Sequence, residues 1–473
     1  MRARAAVVWQ YASTMDAQAA PHPAATALGS PAERRKLGAD LRRHVPRSAH
    51  GEWAPRPDRP DPVAILIRQG ESRVQDLLPI RYGRMRPDPF AFLRAAAAVM
   101  ADDLAHAATS GIRLQTCGDA HLSNFGSYAS PEGTPVFDVN DFDETLPAPF
   151  EWDLKRLATS LVLAGRVADY APKAAAKLAR TAARAYREHM ADLAALPPFA
   201  AWNQRIDLAG AIAAIDHSKL RTAMERRLAK TLASGVAHFG LVQARGGTPK
   251  IADKPPTVFH LTKHELPAHK AFASYAHTLQ EDRRVLLRRY ALRDVAFKAV
   301  GVGSVGTFCA IALLTAGDGA PLLLQIKEAQ ESVLAPYAGA SAYANHGERV
   351  VTGQRMMQAA SDIFLGWTLA PIDGRHFYVR RLKDQRLADV GARLEAALPF
   401  YAALCGRTLA RAHGRSGDPA LVSGYIGSGT AFDEAIGDFA VAYADQTERD
   451  WKAFRAAIDA GRIVAAEPET KKG

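Results

Sequence analysis

The sequence contains little cysteine and no long apolar run, and each absence excludes a class of protein. Its three cysteines, Cys117, Cys309 and Cys405, are far apart and odd in number, which argues against a disulfide framework and against a zinc knuckle. No apolar run reaches the roughly 18 residues that indicate a membrane span. The apolar run near the start is shorter than the roughly 7-residue core of a signal peptide. We therefore predict a cytoplasmic protein without a membrane partner.

The composition is that of an ordinary globular protein, with 48% apolar and 23% charged residues. The net charge of +11 suits an anionic substrate or a nucleic acid. Residues 1–60 contain ten basic and five acidic side chains without clear periodicity, and we predict a disordered basic tail there. Because this segment lacks interleaved aromatic residues and a recognition motif, a nucleic-acid partner is the weakest hypothesis.

The rest of the chain divides into three segments by its periodicity. Residues 61–290 are predicted to be mainly helical and to carry a loop between two short strands, at residues 112–117 and 135–139. Within them, residues 240–265 are rich in glycine, proline and lysine and are predicted to be a loop or linker. Residues 291–385 are predicted to be β-rich, with a strand from residue 295 and a hairpin turn at Gly-Asp-Gly, residues 317–319. Residues 386–473 are predicted to be helical again and to include an amphipathic helix pair at residues 432–458. The expected fold class is α+β, with a small antiparallel β lobe and a larger helical lobe.

A polar loop in the first of these segments carries the strongest chemical signal. Asp119 is followed five positions later by Asn124, and Asp141 and Asp143 come after the second strand. A kinase needs this set: a carboxylate that orients an acceptor hydroxyl, and an amide and a carboxylate that hold Mg²⁺ on the phosphates. We predict Asp119 and Asn124 as catalytic residues. We predict Asn124, Asp141 and Asp143 as metal ligands, with Asp138 as a nearby competitor.

A glycine-rich turn begins 182 positions after the first of these aspartates (301 − 119). Residues 301–306 match G-x-G-x-x-G between two strand-like segments, which is the arrangement of the loop over the phosphates in kinases. The next strand ends at Lys327, which we expect to pair with Glu348, 21 positions on, with Glu331 as the alternative partner. The predicted nucleotide-binding residues are Gly301, Gly303, Ser304, Gly306, Lys327 and Glu348.

These motifs resemble those of a known group of kinases. The sequences GDAHLSN at residues 118–124 and NDFD at residues 140–143 are similar to the catalytic and metal-binding motifs of aminoglycoside phosphotransferases, within the protein-kinase-like superfamily. The resemblance implies a two-lobe kinase-like fold that uses ATP and Mg²⁺. Because the glycine-rich turn and Lys327 follow the catalytic loop instead of preceding it, the fold would be circularly permuted.

The chain also resembles, over residues 75–450, a bacterial family known as domain of unknown function 2252. The sequences that carry this resemblance are PIRYGRM at residues 79–85, the loop at 118–126, FDVNDFDET at 137–145 and PFEWDLKRL at 149–157. Membership of this family implies no particular reaction.

The main functional hypothesis is an ATP- and Mg²⁺-dependent phosphotransferase with an unidentified hydroxyl acceptor. In it His121 orients the catalytic loop, and Asp153 either braces that loop or caps a helix. A metal-dependent phosphoesterase is an alternative, with D-x-H at residues 119–121, N-H at 345–346, and His260 and His264 as further ligands. A nucleotide-binding pseudokinase and an AMP-transferring enzyme are also open, because fold does not fix reaction.

Four arginines shortly before the catalytic loop are compatible with two roles. Arg81, Arg84, Arg86 and Arg94 either line a pocket for an anionic acceptor or form salt bridges at the surface. The sequence leaves both roles open.

Overall fold

The structure is a computed structural model, and it describes residues 29–233, 241–245, 248–255, 258–260, 268–298, 305–369, 372, 374–382 and 397–467. These residues form the predicted mixed α+β fold. No helix among them is both long and apolar enough to cross a membrane. The helices are α1 Pro31–Leu41, α2 Pro62–Gly70, α3 Leu78–Met85, α4 Pro89–Leu93, α5 Ala97–Ala105, α6 Phe150–Val167, α7 Pro172–Ala195, α8 Pro198–Trp202, α9 Leu208–Ala213, α10 Ser218–Ala233, α11 Ala268–Ala276, α12 Glu281–Leu287, α13 Ala335–Ala338, α14 His346–Met357, α15 Leu398–Ser416, α16 Pro419–Ile426 and α17 Ala431–Asp459.

The strands pair in antiparallel fashion throughout the described residues. They are β1 Arg113–Thr116, β2 Phe125–Ala129, β3 Pro135–Val139, β4 Leu146–Pro149, β5 Val242–Arg245, β6 Thr248–Ile251, β7 Val258–Phe259, β8 Tyr290–Lys298, β9 Cys309–Ala316, β10 Pro321–Ala329, β11 Gly366–Trp367 and β12 His376–Arg381. One sheet has six strands in the order β11-β12-β10-β9-β8-β7, and the pairs β1-β4, β2-β3 and β5-β6 are separate.

The centre of the six-stranded sheet is the hairpin predicted from Gly-Asp-Gly. Gly319 in its turn has a φ of +82°, a value that favours glycine. β10 lies between β9 and β12, so Lys327 stands opposite Cys309 on one side and Tyr378 on the other. β8 starts earlier than the predicted residue 295, because a bulge near Asp294 interrupts the apolar alternation that marks the strand.

The helical part of the protein packs around α6, which contacts α7 and α17. Fifteen of the 18 residues of α6 are buried, so its polar side chains must find partners inside the protein. Glu151, Asp153 and Arg156 are among these buried residues. Asp153 and Arg156 contact the loop predicted to be catalytic.

The predicted disordered tail is wrong for residues 29–60, and residues 1–28 lie outside the described residues. Ser30 caps α1, which packs against α16. Arg34 Nη1 lies 2.7 Å from Asp418 Oδ1, and Arg42 Nε donates to the Tyr425 carbonyl at 2.7 Å. These two arginines thus bind the two ends of α16. Their positive charges stabilise the packing of α1 on this helix.

Two other segments differ from the predictions. The amphipathic helix pair predicted at residues 432–458 is one helix, α17, because no proline interrupts that stretch. The region around residues 240–265, predicted as a loop from its glycine, proline and lysine content, includes β5, β6 and β7. Cross-strand pairing forms these short strands in spite of their local composition.

A histidine at the sheet edge is expected to make stability depend on pH. His260 Nδ1 lies 2.8 Å from Asp253 Oδ1, and its Nε2 lies 3.1 Å from Asp294 Oδ1. Partial burial opposes the charge on the ring, but the two carboxylates outweigh it and raise the pKa of His260 above its ordinary value. The charged His260 therefore stabilises the fold fully below its unfolded-state pKa of about 6.5. This stabilisation is lost as pH rises through the pKa of His260 in the folded protein.

We therefore expect His260→Gln to lose more free energy of unfolding at pH values near 6 than near 9. Denaturant titrations at both values measure the difference. An equal loss at both would contradict the proposed charge on His260.

Candidate active site

The predicted catalytic loop, residues 118–126, begins after β1 and is held from behind by a buried carboxylate. Asp153 Oδ2 accepts a hydrogen bond from the backbone N–H of Cys117 at 2.8 Å, and Oδ1 accepts one from Gly118 at 3.0 Å. His413 Nε2, from α15, lies 3.2 Å from Asp153 Oδ2. The start of α6 has no side-chain cap. Of the two roles left open for Asp153, the structure therefore selects the brace.

The loop also packs closely against the segment that follows β3. Gly118 has a φ of +78°, and a Cβ at this position would collide with the carbonyl oxygen of Glu144. Only glycine satisfies both conditions. The backbone N–H of Asn140 donates to the carbonyl of Asn124 at 2.8 Å. These contacts fix the catalytic loop beside the predicted metal-binding residues.

Asp119 lies in this loop beside a buried arginine. Arg156 Nε donates to Asp119 Oδ1 at 2.5 Å, and His121 Nε2 lies 3.8 Å from Oδ2. Asn124 Nδ2 donates to the backbone carbonyl of Asp119 at 2.8 Å, which closes the loop on itself. Burial raises the pKa of Asp119 above its ordinary value, and the Arg156 guanidinium opposes that rise. Arg156 thus fixes the orientation of the Asp119 carboxylate, while 19% of the Asp119 side chain stays exposed.

Lys327 joins the sheet to the predicted metal ligands. Its Nζ lies 2.7 Å from Asp143 Oδ2 and 3.8 Å from Asp141 Oδ1. The Tyr378 hydroxyl donates to the other oxygen of Asp143 at 2.6 Å. Burial opposes the charge on the lysine, but Asp141 and Asp143 outweigh it and raise the pKa of Lys327. Both aspartates therefore contact this lysine, from the segment between β3 and β4.

The predicted pairing of Lys327 with Glu348 is wrong. Among the residues that the structure describes, Glu348 forms no ion pair, and Lys327 is bound to the two aspartates. Arg349, the residue after Glu348 in α14, faces the site instead. Arg349 donates hydrogen bonds of 2.7, 2.8 and 2.7 Å to the carbonyls of Thr145, Asp143 and Gln330. Since successive helical residues lie about 100° apart, burial of Arg349 turns Glu348 away.

The glycine-rich turn is described only at its end, because Gly301, Gly303 and Ser304 lie outside the described residues. Gly306 has a φ of +92°, and its carbonyl accepts from the Val74 N–H at 2.8 Å. A Cβ at Gly306 would lie 3.1 Å from Arg73 Cβ. The end of the turn is thus anchored to the helical part of the chain.

A cavity of about 440 Å³ brings the two motifs together. Asp119, Asn124, Asp141 and Asp143 all line it, and Lys327 is paired with the last two. This volume is in the range of small-molecule sites. Three further lining carboxylates are those of Glu144, Glu328 and Glu331. Burial raises the pKa of Glu144 to about 7.

The predicted metal ligands suit a hard divalent cation. Asn124 uses its Nδ2 within the loop, which leaves its amide oxygen for a ligand, and Asp141 and Asp143 offer carboxylate oxygens. Mg²⁺ prefers such oxygen ligands, and one or two carboxylates together with substrate phosphates are enough to bind it. Within the described ranges, no group of three or more His, Cys, Asp or Glu side chains could hold a metal ion.

Of the residues of the phosphoesterase alternative, Asp119 and His121 line this cavity, but the other described ones lie elsewhere. His260 is held by Asp253 and Asp294 at the sheet edge. Asn345 caps α14, and His346 packs edge-on against His376. None of these described residues is among those that line the cavity, and His264 lies outside the described residues.

Of the four arginines in front of the loop, Arg94 lines the cavity, whereas Arg81, Arg84 and Arg86 are not among the lining residues. Arg156, which binds Asp119, was not predicted from the sequence. A signal for it was present, since Arg156 lies three positions after Asp153 and so shares its helix face. Arg349 and Tyr378 carried no such local signal.

Comparison with known proteins identifies a family but no reaction. A family model described as "Uncharacterized protein conserved in bacteria (DUF2252)" matches residues 73–457, most of the chain. No curated protein and no solved structure matches the chain. The chain therefore belongs to the bacterial DUF2252 family, the second of the two resemblances noted in its sequence.

Proposed function

We propose that this protein is an ATP- and Mg²⁺-dependent phosphotransferase with a circularly permuted kinase-like fold and a hydroxyl acceptor. The observation that carries the proposal is the contact between Lys327 and Asp143, whose side chains meet at 2.7 Å although they are 184 positions apart. A strand lysine and the metal-binding carboxylate are parts of a kinase site that must lie together. Here they lie together in spite of the reversed order along the chain.

Two of the four apolar cores among the described residues support the kinase-like division into lobes. The sheet has its own core, which includes Leu324, Phe308 and Phe377. The catalytic loop contributes Ala120 and Leu122 to a separate core built mainly from helices. A β lobe and a helical lobe with the phosphates between them is the kinase arrangement. The use of ATP implies that the enzyme acts in the cytoplasm.

In the proposed reaction, the acceptor hydroxyl oxygen attacks the γ-phosphorus of ATP and forms the new P–O bond. Asp119 accepts a hydrogen bond from that hydroxyl and takes its proton. The bond from the γ-phosphorus to the bridging oxygen breaks, and ADP leaves with that oxygen and its electron pair. Arg156 holds the Asp119 carboxylate in the direction that this role requires.

Asn124, Asp141 and Asp143 would hold Mg²⁺, which supplies positive charge next to the phosphate oxygens. Lys327 would bind the phosphates on the sheet side. In the structure Lys327 and Tyr378 both contact Asp143. Nucleotide binding would therefore exchange these internal contacts for contacts to the substrate.

ATP with Mg²⁺ is expected to raise the unfolding temperature of the wild type and to leave that of Lys327→Ala unchanged. A ligand at 100 times its Kd adds about 2.7 kcal/mol to the free energy of unfolding. Asn124→Ala, which leaves the Lys327–Asp143 pair in place, is expected to lose the Mg²⁺-dependent part of the shift. Lys173→Ala, at an exposed lysine of α7, is the matched control.

Equal shifts in the wild type and in both site variants would place the nucleotide elsewhere and contradict the proposed site. If ATP with Mg²⁺ does not change the unfolding temperature of the wild type, the protein does not bind this nucleotide. Labelled ATP then distinguishes the reactions, because phosphoryl transfer leaves ADP and AMP transfer leaves pyrophosphate. We expect ADP.

A further inference from the structure

The residues that line the cavity divide by charge according to their place in the chain. The part contributed by residues 69–97 contains no carboxylate, and its lining residues are Gln69, Ser72, Arg73, Arg94, Ala95 and Ala97. We refer to these six residues as the basic wall. Among the described residues, six carboxylates line the cavity. All six come from residues 119–331, and they include every carboxylate assigned above to Mg²⁺ and to catalysis. The basic wall has so far no role in the reaction.

Arg94 places positive charge next to the catalytic loop. Burial is the main cause of the lowered pKa of His121, and the charge of Arg94 adds to it, so this guanidinium lies within electrostatic reach of the loop. Arg94 also acts on Asp119 in the direction that favours its ionised form. Its guanidinium carbon lies 5.9 Å from the centre of the Phe90 ring, which supports the side chain from the same short helix region.

Gln69 presents a donor to the cavity because of a residue behind it. Arg81 is fully buried, and its Nη2 donates to Gln69 Oε1 at 2.8 Å and to the Ala95 carbonyl at 2.9 Å. With its oxygen bound in this way, Gln69 has its amide N–H groups left for a ligand. By binding Oε1, Arg81 orients the Gln69 amide so that its NH₂ group faces a ligand in the cavity.

Arg73 joins the basic wall to the glycine-rich turn. The side chain is buried, and its Nη1 donates to the Val305 carbonyl at 2.7 Å. Glu144, Asp143 and Glu328 all act electrostatically on its guanidinium, so it lies at the border between the basic wall and the carboxylates. Arg73 is therefore partly structural, and Arg94 is the better position to test.

We propose that the basic wall binds the acceptor, and that the acceptor is a small hydroxyl compound that carries a phosphate or carboxylate group. Arginine guanidinium groups match the geometry of these anions, and the Gln69 amide adds a neutral donor. Apart from the His121 imidazole, the described residues that line the cavity include no aromatic ring, and Val333 is their largest aliphatic side chain. This lining suits a compact polar molecule. The assignment rests on the proposed phosphotransferase function.

The test is anion binding to protein already saturated with a non-hydrolysable ATP analogue and Mg²⁺. Inorganic phosphate is expected to raise the unfolding temperature of this complex further than sodium chloride of equal ionic strength. Arg94→Ala and Arg94→Gln are expected to weaken phosphate binding at least tenfold while the shift caused by the nucleotide stays at the wild-type value. Arg68→Ala, which removes an exposed arginine from α2 outside the cavity, is expected to bind phosphate normally.

A parallel titration with acetate shows whether a carboxylate also occupies the site. The proposal is overturned if neither phosphate nor acetate raises the unfolding temperature of the nucleotide-saturated wild type further than sodium chloride does. It is also overturned if the Arg94 variants lose the nucleotide shift, because Arg94 then binds the phosphates of ATP. A wild type that shows no nucleotide shift at all marks the failure of the proposed function, a result distinct from both.

Discussion

Asp119→Asn is expected to lower the rate of ADP formation from ATP by about 10²–10⁴-fold and to leave the thermal shift with ATP and Mg²⁺ unchanged. The amide keeps the size of the carboxylate but cannot take the proton of an acceptor hydroxyl. Lys327 and the predicted metal ligands are untouched, so the nucleotide still binds. ADP formation, with water or with a phosphate-bearing alcohol as acceptor, and the thermal shift measure the two effects separately.

The matched control is Asp169→Asn, at an exposed aspartate with a φ of +55°, which asparagine tolerates. It is expected to retain both turnover and the nucleotide shift. Wild-type turnover in Asp119→Asn would show that Asp119 is not the catalytic carboxylate. Loss of the nucleotide shift in that variant would mean that Asp119 contributes to binding, which the proposed mechanism does not allow.

Asp153→Ala is expected to lower the free energy of unfolding by about 3–5 kcal/mol, the cost of breaking a buried charged contact. The substitution removes the acceptor for the backbone N–H groups of Cys117 and Gly118 and the partner of His413. Each buried donor left without a partner costs about 1–3 kcal/mol. Urea titration of the variant and the wild type measures the difference.

Asp192→Ala, at an aspartate whose side chain is 76% exposed, is the control and is expected to change stability by less than about 0.5 kcal/mol. A loss below about 1 kcal/mol in Asp153→Ala would be too small for three buried contacts. In that event Asp153 would not be the brace of the catalytic loop.

Local patterns in the sequence were enough to identify the elements that carry the site. A short apolar run bounded by proline and polar residues predicted β3 at its observed bounds, residues 135–139. Gly-Asp-Gly predicted the hairpin of β9 and β10. The spacing of Asp119, Asn124 and Asp141 predicted a shared site, and all three line one cavity.

The contacts between distant segments were not predictable in the same way. Glu348 and Arg349 are adjacent polar residues near the start of a helix, and their sequence does not indicate which one faces the site. Arg349 faces it because the carbonyls of Thr145, Asp143 and Gln330 converge there in the folded chain.

The packing of α1 against α16 was also not predictable from the sequence, because α1 has few apolar residues. It approaches α16 through glycines, Gly38 in α1 and Gly424 in α16, at positions where a Cβ would collide with the partner backbone. Patterns of apolar residues do not detect an interface of this kind.

The brace of the catalytic loop has a consequence for synthesis of the chain on the ribosome. His413 is 260 positions beyond Asp153, and Arg411 is 273 positions beyond its buried partner Asp138. At 5–20 residues per second, α15 emerges about 13–52 s after Asp153. During that interval both carboxylates lack their final partners, so the region around the catalytic loop cannot complete its core. The nascent chain therefore exposes this unfinished surface to chaperones and proteases until its last helices have been made.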